Sequence, residues 1–131
     1  MSPQMEKHRL SFVQINLLNE KIAEVIFDKG VYISIEMMEE IETFFCTFFK
    51  TDFGVIVNKI YPYTYSLEAQ LTMGSLIHMK SIASINYSKE GVANTEDIIN
   101  KRSNDKLNVK QFNGLELGRQ QALKWLQKEL A

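Results

Sequence analysis

The sequence has few of the residues on which disulfides, metal sites and much of enzyme catalysis depend. Its 131 residues include one cysteine, Cys46, and two histidines, His8 and His78. A single cysteine excludes an intrachain disulfide and fits a reducing compartment. No two of these three side chains share a spacing typical of metal ligands. We therefore expect no metal and no cofactor.

The chain also lacks an excess of basic charge and lacks long apolar runs. Its 15 Lys and Arg residues are balanced by 16 Asp and Glu residues, so the clustered positive charge on which nucleic-acid binding depends is absent. No segment approaches the roughly 20 apolar residues of a membrane span. Residues 1–9 lack the apolar stretch of a signal peptide. The sequence predicts a cytoplasmic protein with no nucleic-acid partner and no stable membrane insertion.

The most informative segment that is present is a near-continuous apolar run, Phe53-Gly-Val-Ile-Val-Asn-Lys-Ile60. A run of this length is typical of a strand that is covered on both faces, which usually means a parallel sheet. The segment Tyr61-Pro-Tyr-Thr-Tyr-Ser66 follows at once. It leaves the strand at its carboxyl end, where open α/β sheets place their binding crevices.

Hydrophobic periodicity divides the chain into strands and helices. Strands are predicted over residues 10–18, 22–27, 53–60, 81–87 and 109–112, and helices over 35–50, 67–79, from 94 or 95 to about 104, and over 115–130. The order ββαβαβαβα predicts an α/β fold with a mixed five-stranded sheet and about four helices. Residues 1–9 are predicted to form a flexible tail, and residues 10–131 a single domain.

This order of elements resembles the STAS fold, and more closely the SpoIIAA-like proteins grouped as STAS/SEC14-related. The matching segments are Val55-Ile-Val-Asn58 followed by Tyr65-Ser66, then Ser81-Ile-Ala-Ser-Ile-Asn86, and finally Phe112 followed by Ala122, Trp125 and Leu126. The resemblance implies a small non-catalytic module for protein or ligand binding. The anti-sigma-factor antagonists of this fold carry a phosphorylated serine at the start of the second helix, in an Asp-Ser-Ser/Thr-Gly-like context, whereas this chain has Tyr65-Ser66-Leu67-Glu68 there, without the preceding Asp and the following Gly.

The candidate site consists of five residues at the end of the third predicted strand: Asn58, Tyr61, Tyr63, Tyr65 and Ser66. The three tyrosines alternate along the loop, so we expect them to point the same way and to suit recognition; the alternative is that one or two of them cover the sheet edge. Asn58 either binds a ligand or closes the loop. Ser66 is either a plain helix cap or a phosphosite.

These observations lead to a ranked set of functions. The first is a cytoplasmic STAS-like module, regulatory or protein-binding, that docks its tyrosine loop and second helix against a protein partner. The alternative is a carrier of a lipid or another small hydrophobic ligand, with a cavity between the first helix and the sheet. An enzyme is disfavoured because no nucleophile, base and oxyanion hole assemble. The first strand, if it lies at the sheet edge, offers a route to a homodimer.

Overall fold

A computed structural model of the protein describes residues 6–72, 76–105 and 107–131. The strands are β1 (Glu6–Leu10), β2 (Val13–Leu17), β3 (Ile22–Phe27), β4 (Tyr32–Ile33), β5 (Phe53–Asn58), β6 (Thr64–Tyr65), β7 (Met79–Asn86) and β8 (Val109–Asn113). The helices are α1 (Ile35–Phe48), α2 (Leu67–Thr72), α3 (Lys89–Lys101) and α4 (Gly118–Glu129), and a 3-10 turn (Ser103–Asp105) follows α3.

The main sheet has six strands in the order β1-β2-β3-β5-β7-β8, and β4 pairs with β6 in a separate ribbon. Strands β3, β5, β7 and β8 run parallel, whereas β1, β2 and β3 form an antiparallel meander. The predicted α/β fold, with a mixed sheet and four helices, is confirmed. The predicted number of five strands in this sheet is wrong, because β1 carries no clear apolar alternation.

Strand β5 lies inside the sheet with a parallel neighbour on each side. All six of its residues are buried, since helices cover both faces. The prediction that the apolar run forms an interior parallel strand is therefore confirmed.

The amino-terminal boundary differs from the prediction. Residues 6–9, which the sequence placed in a flexible tail, form most of β1 and pair with β2 along its whole length. The His8 ring contacts the rings of Phe44 and Phe48 at centroid distances of 5.2 and 4.9 Å. An edge strand with charged, exposed side chains shows no alternation of apolar and polar residues, which is why β1 could not be predicted from the sequence. Residues 1–5 lie outside the described part of the chain.

Two predicted helix boundaries also change. Helix α2 is described only as far as Thr72; residues 73–75 of the predicted helix lie outside the described residues, and Met79 pairs with Phe53 in the sheet. Helix α3 begins at Lys89 because Ser88 caps it, its Oγ accepting a hydrogen bond from the Gly91 N–H at 3.0 Å. The predicted start at residue 94 or 95 is therefore wrong.

The helices are divided unequally between the two faces of the sheet. Buried side chains of α1 and α2 pack with Val25, Val55 and Val57 in one core cluster, and α3 covers the same face through Ile98. Helix α4 alone covers the opposite face, where Ala122 and Leu126 pack on Ile22, Ile56, Ala83 and Ile85. These are called the α1–α3 face and the α4 face below.

Helix α4 starts where the backbone passes very close to the end of β8. A Cβ atom built at Gly118 would lie 2.4 Å from the carbonyl oxygen of Asn113. Because a backbone atom cannot swing aside, we expect Gly118→Ala to lower the free energy of unfolding by about 1–3 kcal/mol. Urea denaturation measures it. Gly91→Ala is the control, since its closest contact is 3.3 Å to a side-chain atom; equal losses in both variants would contradict the close approach.

Candidate functional site

The candidate residues lie at one edge of the main sheet. Since β3, β5, β7 and β8 are parallel, their last residues, Phe27, Asn58, Asn86 and Asn113, end at the same side, which we call the carboxyl edge. The tyrosine loop leaves β5 there, and α3 and α4 begin there. Side chains of successive strand residues point to opposite faces, so this edge has two distinct environments.

Asn58 belongs to the α4 face and lies inside the protein, with 8% of its surface exposed. Its Nδ2 donates a hydrogen bond to Oε2 of Glu24 on β3 at 3.1 Å. Its Oδ1 is buried without a hydrogen-bond partner among the described residues. The side chain thus links two neighbouring strands, and the loop that follows receives no hydrogen bond from it.

Glu24 is the centre of a buried polar cluster on the α4 face and is 2% exposed. Its carboxylate accepts hydrogen bonds from Asn16 at 3.0 Å and from Asn58 at 3.1 Å. Arg119 of α4 adds two more, from Nε at 2.8 Å and Nη2 at 3.1 Å. Burial alone raises the pKa of Glu24, but the hydrogen bonds from Arg119, Asn16 and Asn58 outweigh it, so the pKa lies below its ordinary value.

Of this cluster, only Asn58 was among the residues predicted from the sequence, and Glu24 was not. The one local signal of the cluster is the acid itself, because Glu24 interrupts the otherwise apolar strand Ile22-Ala-Glu-Val-Ile-Phe27, and acids in buried strands are rarely without a partner. The partner could not be identified, since Arg119 lies 95 residues further along the chain.

The three candidate tyrosines fall into two environments. The rings of Tyr63 and Tyr65 pack on Phe27 at centroid distances of 4.8 and 6.2 Å, and their hydroxyl oxygens lie 3.3 Å apart. Burial raises the pKa of Tyr65 to about 12 and that of Tyr63 well above its ordinary value. Tyr61 is exposed. Two tyrosines therefore cover the core, and the third is accessible to a partner.

Ser66 stands at the start of α2. Its Oγ accepts a hydrogen bond from the backbone N–H of Ala69 at 3.0 Å, which is the geometry of a helix cap. Its backbone N–H donates to the carbonyl of Ile33 at 2.8 Å, so the loop is held against β4. Phosphorylation of Ser66 stays a prediction.

Lys59 follows Asn58 and points to the α1–α3 face. Its Nζ donates a hydrogen bond to Thr95 Oγ1 on α3 at 2.6 Å and lies 5.8 Å from the centre of the Tyr63 ring. Burial lowers the pKa of Lys59 to about 8. Lys59 was not among the residues predicted from the sequence; the available signal was a lysine at the end of a strand covered on both faces.

The enclosed spaces near the candidate site are small. Behind α1, between Phe45 and the sheet, the cavity measures about 40 Å³, and the space beside Lys59 about 10 Å³. A single buried water needs about 10–15 Å³ on the same measure. Residues 58–66 therefore enclose no cleft of ligand size, and the apolar cavity behind α1 is far too small for a lipid chain.

No protein-family profile matches the chain, and no curated protein and no solved structure shows a significant match to it. In the described part of the chain, no helix is long and apolar enough to cross a membrane. Within the same residues, no group of three or more His, Cys, Asp or Glu side chains is arranged to hold a metal ion.

Proposed function

We propose that the protein is a non-catalytic, cytoplasmic STAS-like module that binds a protein partner through the loop after β5 and helix α2. One observation carries the proposal: four large apolar side chains between residues 60 and 71 are exposed. They are Ile60 at 49%, Tyr61 at 47%, Leu67 at 59% and Leu71 at 49%. We call these four residues the loop–helix surface.

Such a surface is favourable for protein binding because it is apolar and pre-formed. Leu67 and Leu71 are four residues apart and so share one side of α2. The base beneath the loop is held by the Tyr63 and Tyr65 rings on Phe27. Exposed apolar side chains on a rigid support lose little entropy on binding, and aromatic residues often dominate interface energies.

The alternative of a lipid carrier finds less support. A carrier must enclose much of its ligand, and ligand pockets usually measure about 300–1,000 Å³. The apolar cavity behind α1 measures about 40 Å³, which is room for about three water molecules. The STAS assignment itself is supported by the sequence resemblance alone, and a phosphorylation switch at Ser66 by its place at the start of α2, where a phosphate would meet free backbone N–H groups.

Affinity purification with a paired set of surface variants tests the proposal. The double variant Leu67→Asp/Leu71→Asp places two charges on the loop–helix surface, so we expect a partner captured from the native lysate by the wild type to be depleted at least tenfold. The control, Leu115→Asp/Leu117→Asn, changes two leucines that are even more exposed but lie between β8 and α4, and it should retain the partner.

The affinity of the purified partner for the wild type and for both double variants is then measured directly. Exposed substitutions usually change stability by less than about 0.5 kcal/mol, so thermal unfolding should show that both double variants are folded. Loss of the partner with the control variant, or its retention with Leu67→Asp/Leu71→Asp, would refute the proposed surface.

A further inference from the structure

A further candidate site lies at the amino edge of the main sheet, opposite the carboxyl edge. Lys21, Asp52 and His78 each stand directly before one of the parallel strands β3, β5 and β7. The backbone N–H groups of Phe53 and Gly54 donate hydrogen bonds to the carbonyls of His78 and Lys21, each at 2.8 Å. The start of β5 therefore holds the backbone on both sides of it, and the three residues before these strands are brought together.

Three lysines from different parts of the chain line an open groove along this edge. Lys21 precedes β3, Lys50 follows α1 and Lys80 belongs to β7, and the groove that these groove lysines share measures about 510 Å³. Asp52 is the one acidic side chain among its described lining residues. Even with a carboxylate on Ala131, which also lines the groove, the lysines outnumber the acids. The groove is thus positively charged, although the whole chain has a net charge of −1.

The groove lysines lack the carboxylate partners that other basic side chains have. Within the described ranges, four Lys and Arg side chains form ion pairs: Arg9, Lys101, Arg102 and Arg119. No carboxylate there pairs with a groove lysine, and Asp52 Oδ1 lies 3.7 Å from His78 Nδ1 instead. The Nζ of Lys50 donates a hydrogen bond to the Cys46 carbonyl at 2.7 Å. Like charges that share a groove repel one another, and a multiply charged anion would compensate them.

The backbone that presents Lys80 is irregular. Phe53 pairs with Met79 and Gly54 with Ser81, so Lys80 is the extra residue of a β-bulge. His78, two residues earlier, has a left-handed backbone with a φ of 67°, which residues other than glycine seldom adopt. Bulges re-aim side chains and are frequent beside binding sites. This irregularity favours a role of the amino edge in binding.

We infer that this groove binds a small anion that carries two or more linked phosphate groups. Gly54 pairs with Ile22 on one side and with Ser81 on the other. Lys21 and Lys80, one residue earlier, are therefore two strand spacings apart, or about 10 Å. A row of linked phosphates contacts ammonium groups on both sides of β5 more readily than a single phosphate does. The groove volume lies in the usual range of ligand sites, about 300–1,000 Å³.

The lining residues also limit the class of ligand. No Phe, Tyr or Trp side chain is among the described residues that line the groove, so it offers no ring on which a nucleobase could stack. An ammonium group binds phosphate as a point charge. A terminal phosphate group carries up to about two negative charges, whereas a carboxylate carries one. The groove therefore suits an inorganic or organic polyphosphate better than an acidic peptide.

Isothermal titration calorimetry at pH 7 and low ionic strength tests the site with sodium tripolyphosphate as the probe. We expect saturable binding with a Kd of about 1 mM or lower. Orthophosphate, a single phosphate, should bind at least about tenfold more weakly, and so should hexaglutamate, whose charges are carboxylates on a flexible chain. The loop–helix surface begins at the carboxyl edge, so the outcome does not depend on the proposed protein partner.

Two matched double variants locate the binding. Lys21→Gln/Lys80→Gln removes two groove lysines and keeps Lys50, so we expect tripolyphosphate affinity to fall about tenfold or more. Lys29→Gln/Lys89→Gln removes two exposed lysines outside the groove with the same change in net charge, and it should bind tripolyphosphate like the wild type. Exposed substitutions seldom unfold a protein, so thermal unfolding should show that both double variants are folded.

Several results would overturn the inference. One is the absence of saturable binding by the wild type, and another is equal affinity of the wild type and Lys21→Gln/Lys80→Gln. An equal loss of affinity in both double variants would show that net charge alone attracts the anion. Equally tight binding of orthophosphate would refute the linked phosphates, and equally tight binding of hexaglutamate would refute the phosphate class.

Discussion

We expect replacement of Arg119 with methionine to lower the free energy of unfolding by about 3–5 kcal/mol. Arg119 is the only cationic partner of Glu24 among the described residues, and its two hydrogen bonds of 2.8 and 3.1 Å reach both carboxylate oxygens. Methionine keeps the apolar stem but leaves a carboxylate buried with two amide donors. A buried charge without its partner is far less favourable than the same charge in water. Urea denaturation at pH 7 measures the loss.

Two further variants separate the loss of the partner of buried Glu24 from a general effect of losing an arginine. The double variant Glu24→Gln/Arg119→Met removes both charges and should recover much of the lost stability. Arg9→Met breaks the exposed ion pair with Asp28 and should cost less than about 1 kcal/mol. If Arg119→Met costs no more than Arg9→Met, or if the double variant is no more stable than Arg119→Met, Glu24 does not depend on Arg119 as the structure indicates.

The parts of the fold that the sequence predicted are those whose signal is local. The run from Phe53 to Asn58 is apolar on both faces because the strand is covered on both faces. Consecutive apolar residues therefore indicate that this strand lies inside the sheet. Helix α1 has an apolar side of period 3.6 for the same reason. Strand β1 gave no such signal, because an exposed edge strand is stabilised by backbone pairing rather than by the burial of alternate side chains.

The misplaced start of α3 shows how two chemically similar residues can exchange roles. Ser88 and Thr95 are both acceptable helix caps, and the sequence favours Thr95 because acids follow it. In the fold, Ser88 provides the cap, whereas Thr95 lies inside the helix and accepts the hydrogen bond from Lys59. That choice depends on the end of β5 lying beneath α3, which no local pattern records.

The place of the candidate residues at the carboxyl end of β5 could be predicted from the sequence, but their contacts could not. Asn58 and Lys59 are adjacent in sequence, so their side chains point to opposite faces of the sheet. On the α4 face, Arg119 from the far end of the chain neutralises the charge of Glu24, which lies next to Asn58. On the α1–α3 face, α3 meets Lys59 with a hydroxyl only. The charge of Glu24 therefore has an opposite charge beside it, whereas that of Lys59 has only a hydroxyl. This difference depends on long-range packing.

This unequal compensation predicts that Lys59→Met stabilises the protein at pH 7. A pKa of about 8 in place of 10.5 corresponds to about 3 kcal/mol of unfavourable charge burial. Methionine removes that penalty and forfeits one hydrogen bond and the contact with the Tyr63 ring, so we expect a net gain of about 1–2 kcal/mol. Urea denaturation of both proteins at pH 7 measures the difference.

The pH dependence of the free energy of unfolding provides a second test of the same prediction. Because the pKa of Lys59 is lower in the folded state than in the unfolded state, the unfolded state binds more protons between pH 8 and 10.5, and stability should rise with pH there. Tyr63 and Tyr65, whose pKa values are raised by burial, reverse the trend above about pH 10. The useful window is therefore pH 7 to 9.5, in which the rise should be present in the wild type and nearly absent in Lys59→Met. The control is Lys110→Met, which removes a lysine 5.5 Å from the centre of the Phe112 ring and should show the same rise as the wild type. A wild type whose stability is flat across that window, or a Lys59→Met variant that is less stable at pH 7, would show that the ammonium group already has adequate compensation.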